Sequence, residues 1–183
     1  MEIPLGSPIG ENMELGSSDF RKLLAALKKK QINGYIALDI MTNNGVEEGM
    51  LLLSSGDIIA AEYGYLSQNK TIAGDDALPR ILNSCAAPGL FDLYELSPKD
   101  IELTRGFNKE QLLSKVPTVE DVSAMIPDTF NERLLVEEKE AAKAKPTAAV
   151  KGAGLNKEEV LKKYGITKPD EKKVDELLKM VGA

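Results

Sequence analysis

The residues of this chain able to do chemistry are few: the acidic pairs Glu47-Glu48 and Asp75-Asp76, the single Cys85, and a set of tyrosines led by Tyr35, Tyr63 and Tyr65. Adjacent carboxylates can bind a metal ion or act as general acid and base. A hard cation needs more oxygen donors than two, and no third acidic residue or histidine stands near Asp75-Asp76. The expectation for Asp75-Asp76 is therefore the cap of a helix. For Glu47-Glu48 it is a solvated pair beside a turn, where charge discourages edge-to-edge strand pairing. Cys85 has no histidine anywhere in the chain to serve as its base. Beside Ala86-Ala87 it is expected to be packed and inert. The glycines at Gly34, Gly45, Gly49, Gly56, Gly64 and Gly74 do not form a phosphate-binding G-x-G-x-x-G or P-loop, and their spacing suits turns. No catalytic residue, cofactor site or metal site is expected.

Binding is the better-supported chemistry. Tyr35, Tyr63 and Tyr65 could form an aromatic recognition surface, since tyrosine is enriched at interfaces, or pack into the strands that carry them. The run Ile58-Ile-Ala-Ala61 has more apolar residues than one core face can take. Strict alternation puts Ile58 and Ala60 opposite Ile59 and Ala61, with one pair under helices and the other under a partner. A third candidate surface is the C-terminal stripe of Leu161, Tyr164 and Leu178.

The elements that must position these residues follow from periodicity and punctuation. Met1 to Leu15, with its prolines, glycines and serines, predicts an extended arm or short edge strand. Ser17-Ser18 is expected to cap a helix carrying Phe20, Leu23, Leu24 and Leu27, closed by Lys28-Lys29-Lys30. Tyr35 to Met41 alternates as a strand with Ile36, Leu38 and Ile40 on one face. Asn43-Asn44-Gly45 predicts a hairpin turn. Gly49 to Leu53 returns, Ser54 to Asp57 turns, and Ile58 to Glu62 forms a third strand, making an antiparallel meander.

Ala73, Ala77, Leu78, Ile81 and Leu82 then shift to helical spacing, with Pro79 in the first turn or at a kink. Leu90 to Leu96 alternates as a further strand. Two helices are expected next, an Asn108-capped Lys109–Val116 and Thr118–Met125 with Thr118 and Asp121 as a capping box. Residues 136–154, rich in Ala, Lys and Glu, read as a flexible linker, and 155–183 as a helical hairpin. The body is thus expected to span 1–135, as a core at 17–96 and a helical extension at 97–135.

Composition bounds the reading. With 43% hydrophobic and 28% charged residues, the chain is an ordinary globular sequence. Its net charge of -6 is uneven: residues 1–96 carry 7 basic against 13 acidic side chains, and residues 136–183 carry 11 against 9. An acidic body repels phosphate backbones, so no nucleic-acid partner is expected. One cysteine cannot form an internal disulfide, and no apolar run reaches the roughly 18 to 20 residues that span a bilayer. No signal-peptide pattern opens the chain, and a cytoplasmic location is expected.

The order Phe20-x-x-Leu-Leu24, Gly34-Tyr-Ile-Ala-Leu38, Gly49-Met-Leu-Leu-Leu53, Gly56-Asp-Ile-Ile-Ala-Ala61, Asp76-Ala-Leu78, Ile81-Leu82 and Gly89-Leu-Phe-Asp-Leu93 resembles the PATAN domain. The whole chain, including Leu161-Lys-Lys-Tyr-Gly-Ile166, is similar to an uncharacterised conserved archaeal family with a PATAN-like N-terminal part. That resemblance implies a protein-interaction or signalling adaptor without catalysis.

The combined expectation is an α+β fold, an antiparallel β-meander sheet packed with helices. Its function is expected to be that of a non-catalytic adaptor whose partner is another protein or a second copy. The alternatives are a small ligand-binding or hydrolytic domain using a cleft near Asp75 and Asp76, and a roadblock-like regulator of a small GTPase.

Overall fold

The computed structural model describes residues 1–43 and 45–131. The expected linker at 136–154 and the hairpin at 155–183, with Leu161, Tyr164 and Leu178, lie outside the described residues.

Six strands form one antiparallel sheet: β1 (Ser7–Glu14), β2 (Gly34–Thr42), β3 (Gly45–Ser54), β4 (Asp57–Tyr65), β5 (Lys70–Ala73) and β6 (Gly89–Glu95). Their order across the sheet is β1-β6-β2-β3-β4-β5. Strands β2, β3, β4 and β5 are therefore the expected meander, extended by one short strand that helical spacing around Ala73 had concealed. The N-terminal arm becomes an edge strand by pairing with β6, Met13 opposite Phe91 and Glu14 opposite Leu90.

The helices are α1 (Ser17–Lys30), α2 (Ala77–Ser84), α3 (Pro98–Phe107) and α4 (Val119–Met125). Three of them cover one face of the sheet, the inner face. Phe20, Leu24 and Leu27 of α1, Leu78, Ile81 and Leu82 of α2, and Val122 of α4 pack there on Ile36, Leu38, Ile40, Leu51, Leu53, Phe91 and Leu93. Pro79 falls in the first turn of α2, where its missing N–H costs no helical hydrogen bond. The cap of α1 differs from expectation. Gly16 holds the cap position, and the Ser17 hydroxyl instead donates to the Pro127 carbonyl at 2.7 Å, joining the start of α1 to the segment that follows α4.

On the opposite, outer face a smaller cluster of Tyr35, Leu52, Ala60 and Leu96 lies under Ile101 of α3, with Ile3 and Leu112 beside it. Helix α3 begins with a reciprocal capping box between Ser97 and Asp100 and a proline in its first turn. The helix expected at Lys109–Val116 is a single 3-10 turn, Lys109–Gln111. After it, Leu112 bridges to Ala60 and the Leu113 amide donates to the Ile59 carbonyl at 3.0 Å. The segment thus occupies the edge of β4 beyond the end of β5, where β4 needs a backbone partner more than residues 112–116 need a helix.

One irregularity decides which residues of β4 face which way. Leu52 pairs with Ala60 but Leu53 pairs with Ile58, so Ile59 is an extra residue, a β-bulge. The alternation reverses there: Ile58 joins the inner core and Ala60 the outer cluster. The expectation that Ile58 and Ala60 share a face is corrected by this bulge.

Candidate functional site

The five described residues expected at a partner surface are all buried: Tyr35 is 9% exposed, Ile58 3%, Ala60 0%, Tyr63 0% and Tyr65 2%. Ile58, Tyr63 and Tyr65 lie beneath the helices of the inner face, Ala60 beneath Leu112 and α3. Tyr35 stacks on Tyr94 with ring centroids 4.9 Å apart. None of them presents a surface to a partner, because the bulge shares the apolar excess of β4 between two clusters of the same chain.

Tyr63 instead belongs to a closed polar cluster that the sequence reading missed. Glu47 is not a solvated turn residue. It lies on the inner face of β3, in the same alternation as Gly49, Leu51 and Leu53, and is fully buried. Its carboxylate accepts a 2.6 Å hydrogen bond from the Tyr63 hydroxyl. The Thr42 hydroxyl lies 3.4 Å from its other oxygen. Because the phenol gives its one proton to Glu47, the Ser84 hydroxyl, 3.0 Å away, is the donor to Tyr63. Burial first, and the Glu47 hydrogen bond next, push the Tyr63 phenol well above its ordinary range. A phenol so held stays protonated, and Glu47, Tyr63 and Ser84 are all closed to solvent. The arrangement clamps α2 to β3 and β4. It offers a substrate no approach.

The remaining candidates separate. Asp76 stands at the cap position of α2 without a side-chain capping bond. The Asp75 carboxylate accepts from the Ser114 amide at 3.1 Å, tying the start of α2 to the segment after the Lys109–Gln111 turn. Both aspartates are exposed. The Cys85 thiol is buried, donates to the Ile81 carbonyl at 3.3 Å, and is pushed up by burial, as suits an inert packed side chain. Among the described residues no three His, Cys, Asp or Glu side chains are grouped so as to hold a metal ion. No helix among them is long and apolar enough to cross a membrane.

The open surface lies elsewhere, on the half of the outer face that α3 leaves uncovered. Registers of the strand pairs place Glu14, Leu90, Asp39, Glu48, Gly64 and Thr71 in one row across all six strands. A second row holds Asp92, Ala37, Met50 and Glu62. Beyond the first row, Met41 pairs with Val46 near the β2–β3 turn. Met41 is 65% exposed, Val46 46% and Leu90 40%. A shallow cavity of about 150 Å³ opens beside Glu48, lined also by Met50, Glu62, Gly64, Lys70 and Thr71. Asp39 and Glu48 stand directly opposite one another, a like-charge cross-strand pair that costs stability. No Lys or Arg among the described residues forms an ion pair with either.

The sequence carried the signal for this face. Asp39 and Met41 share the polar side of β2 by alternation, but a returning strand begun at Gly49 leaves out Val46 and Glu48, so alternation alone does not bring the apolar and acidic residues together.

Comparison with known proteins bears on the family alone. The model of a family described as uncharacterised and conserved in archaea, DUF2226, matches residues 1–108. An uncharacterised protein of Archaeoglobus fulgidus is 25% identical over 174 residues, which is 93% of this chain and 61% of that protein. The chain thus spans less than two thirds of the relative's length. No solved structure matches the chain significantly.

Proposed function

The chain belongs to the uncharacterised archaeal family DUF2226, and from that premise we propose that it is a non-catalytic protein-interaction adaptor, working in signalling or regulation, with a PATAN-like N-terminal part. The observation that carries this reading is the uncovered half of the outer sheet face. There Met41, Val46 and Leu90 are exposed among Asp39, Glu48 and Asp92. Contiguous exposed apolar side chains rimmed by polar ones mark interaction sites. The chemistry-bearing groups buried beneath the other face support the same reading, because Glu47, Tyr63 and Cys85 are all sealed from substrate.

The test is affinity capture with the tagged full chain in its source cell, comparing the natural sequence with Met41→Lys/Leu90→Lys. Both residues are exposed, so the variant is expected to melt at the same temperature. A partner retained by the natural chain and lost by the variant supports the adaptor. Retention of no protein above a tag-only control removes the reading.

A further inference from the structure

The acidic row on the outer face has a spacing that selects its occupant. Neighbouring strands lie about 4.8 Å apart, so Asp39 and Glu48 are one strand apart and Glu14 and Asp39 two strands apart, with Leu90 between them. An α-helix laid across the strands has a turn every 5.4 Å or so, nearly the same interval. A helix with Lys or Arg at intervals of about seven and then four residues, and an apolar residue in the gap, would bring cations over Glu14, Asp39 and Glu48 and an apolar side chain against Leu90. Next to Glu48, Gly64 supplies no side chain, and a methyl group built on it would meet nothing nearer than 3.9 Å. The cavity there is lined by Lys70 as well as by Glu48 and Glu62, and the Glu62 carboxylate already pairs with the Met1 amino group, so a basic side chain ending there would answer to Glu48.

We infer that this row is the seat of a basic amphipathic helix belonging to a partner protein, its cations paired with Glu14, Asp39 and Glu48 and its apolar residues packed on Leu90, Met41 and Val46. The inference rests on the adaptor reading and gives its partner a chemistry. A cation between Asp39 and Glu48 would relieve the repulsion of that like-charge pair, so the complementarity is electrostatic as well as steric. A second copy of this chain is a poor occupant. Its own outer row is acidic, and the apolar stripe of α1, the helix that ends in Lys28-Lys29-Lys30, is already buried in its core.

The test places a photo-crosslinking amino acid at Met41 in the full chain, with a control at Phe107 on α3, which is 69% exposed. Cells of the source organism are irradiated and the joined peptides sequenced. The expected product at Met41 is a segment of another protein bearing Lys or Arg at helical spacing around apolar residues. Its yield should fall roughly tenfold in Asp39→Asn/Glu48→Gln. That variant is expected to melt no lower than the natural chain, since it removes a like-charge opposition. A joined segment without basic residues, a second copy, another part of this chain, an unchanged yield in the variant, or products at Phe107 alone would each overturn the inference while leaving an adaptor. No product from either position would remove the adaptor reading as well.

Discussion

The Tyr63 hydroxyl donates to the Glu47 carboxylate at 2.6 Å between positions that lie diagonally across β3 and β4, since Glu47 itself pairs with Tyr65. A buried carboxylate is tolerated only while its donors are present. Tyr63→Phe is therefore expected to cost about 2 kcal/mol or somewhat more, the range for a hydrogen bond to a charged group. Replacing both partners, as Glu47→Leu/Tyr63→Phe, is expected to recover most of that loss. Urea unfolding of the two single variants and the double variant checks this, and simple additivity of the losses would refute the coupling.

Burial holds the Tyr63 phenol above its ordinary value near 10, and the Cys85 thiol above its ordinary value near 9. Both groups keep their protons in the folded chain at a pH where the unfolded chain loses them. Their contribution is complete below the unfolded values and is lost as pH rises above them. Stability is thus expected to be flat through neutrality and to fall above about pH 9 to 10. Tyr63→Phe should flatten the upper part of that slope. A thiol reagent should label Cys85 only at the rate of opening.

Gly34 and Gly64 form a matched pair for a substitution test. A methyl group at Gly34 would stand 2.0 Å from the Tyr94 carbonyl oxygen of β6, whereas at Gly64 the nearest atom is 3.9 Å away. Gly34→Ala must push the start of β2 from the end of β6, two interior strands of the sheet, and loss of the cooperative melt is the expected outcome. Gly64→Ala should be neutral or stabilising by up to about 1 kcal/mol, because alanine loses less backbone entropy in a strand. Equal melting of the two variants would contradict the strand register.

Two serines that look alike in sequence should behave differently. Ser97 accepts from the Asp100 amide in a closed capping box, while Gly16, and neither Ser17 nor Ser18, holds the cap of α1. Ser97→Ala is expected to cost about 1 kcal/mol. Ser18→Ala, at an exposed position, should stay within roughly 0.5 kcal/mol. Denaturation midpoints decide between them.

Most of the sheet could be read from alternation. Ile36, Leu38 and Ile40 fall on the core face as their spacing requires, and the Thr118–Asp121 capping box starts α4 where it was expected. The failures have physical causes. Glu47 was lost because β3 was begun at Gly49; carrying its alternation two residues back puts Glu47 beneath α2 with its donors. Ile58 and Ala60 were assigned one face because a bulge is set by pairing with another strand, which local pattern does not contain. Helix α3 lies in the helical extension expected at 97–135 but has no bounds of its own in that reading, although Ser97, Pro98 and Asp100 spell its start, since it buries only Ile101 and Thr104 and so has little apolar period. The acidic row is a property of register across six strands, beyond any single segment.

The pairing of β6 with both β1 and β2 sets a schedule for folding during synthesis. Strand β1 begins at Ser7, and its partner begins at Gly89. At roughly 5–20 residues per second, about 4 to 16 s pass between the emergence of the two. From its own start at Gly34 until β6 begins at Gly89, about 3 to 11 s at the same rate, β2 offers Ile36, Leu38 and Ile40 along an unpaired edge. The nascent hairpin of β2 and β3 is then the form of this protein most exposed to association with other chains, and closure waits on the last strand of the sheet.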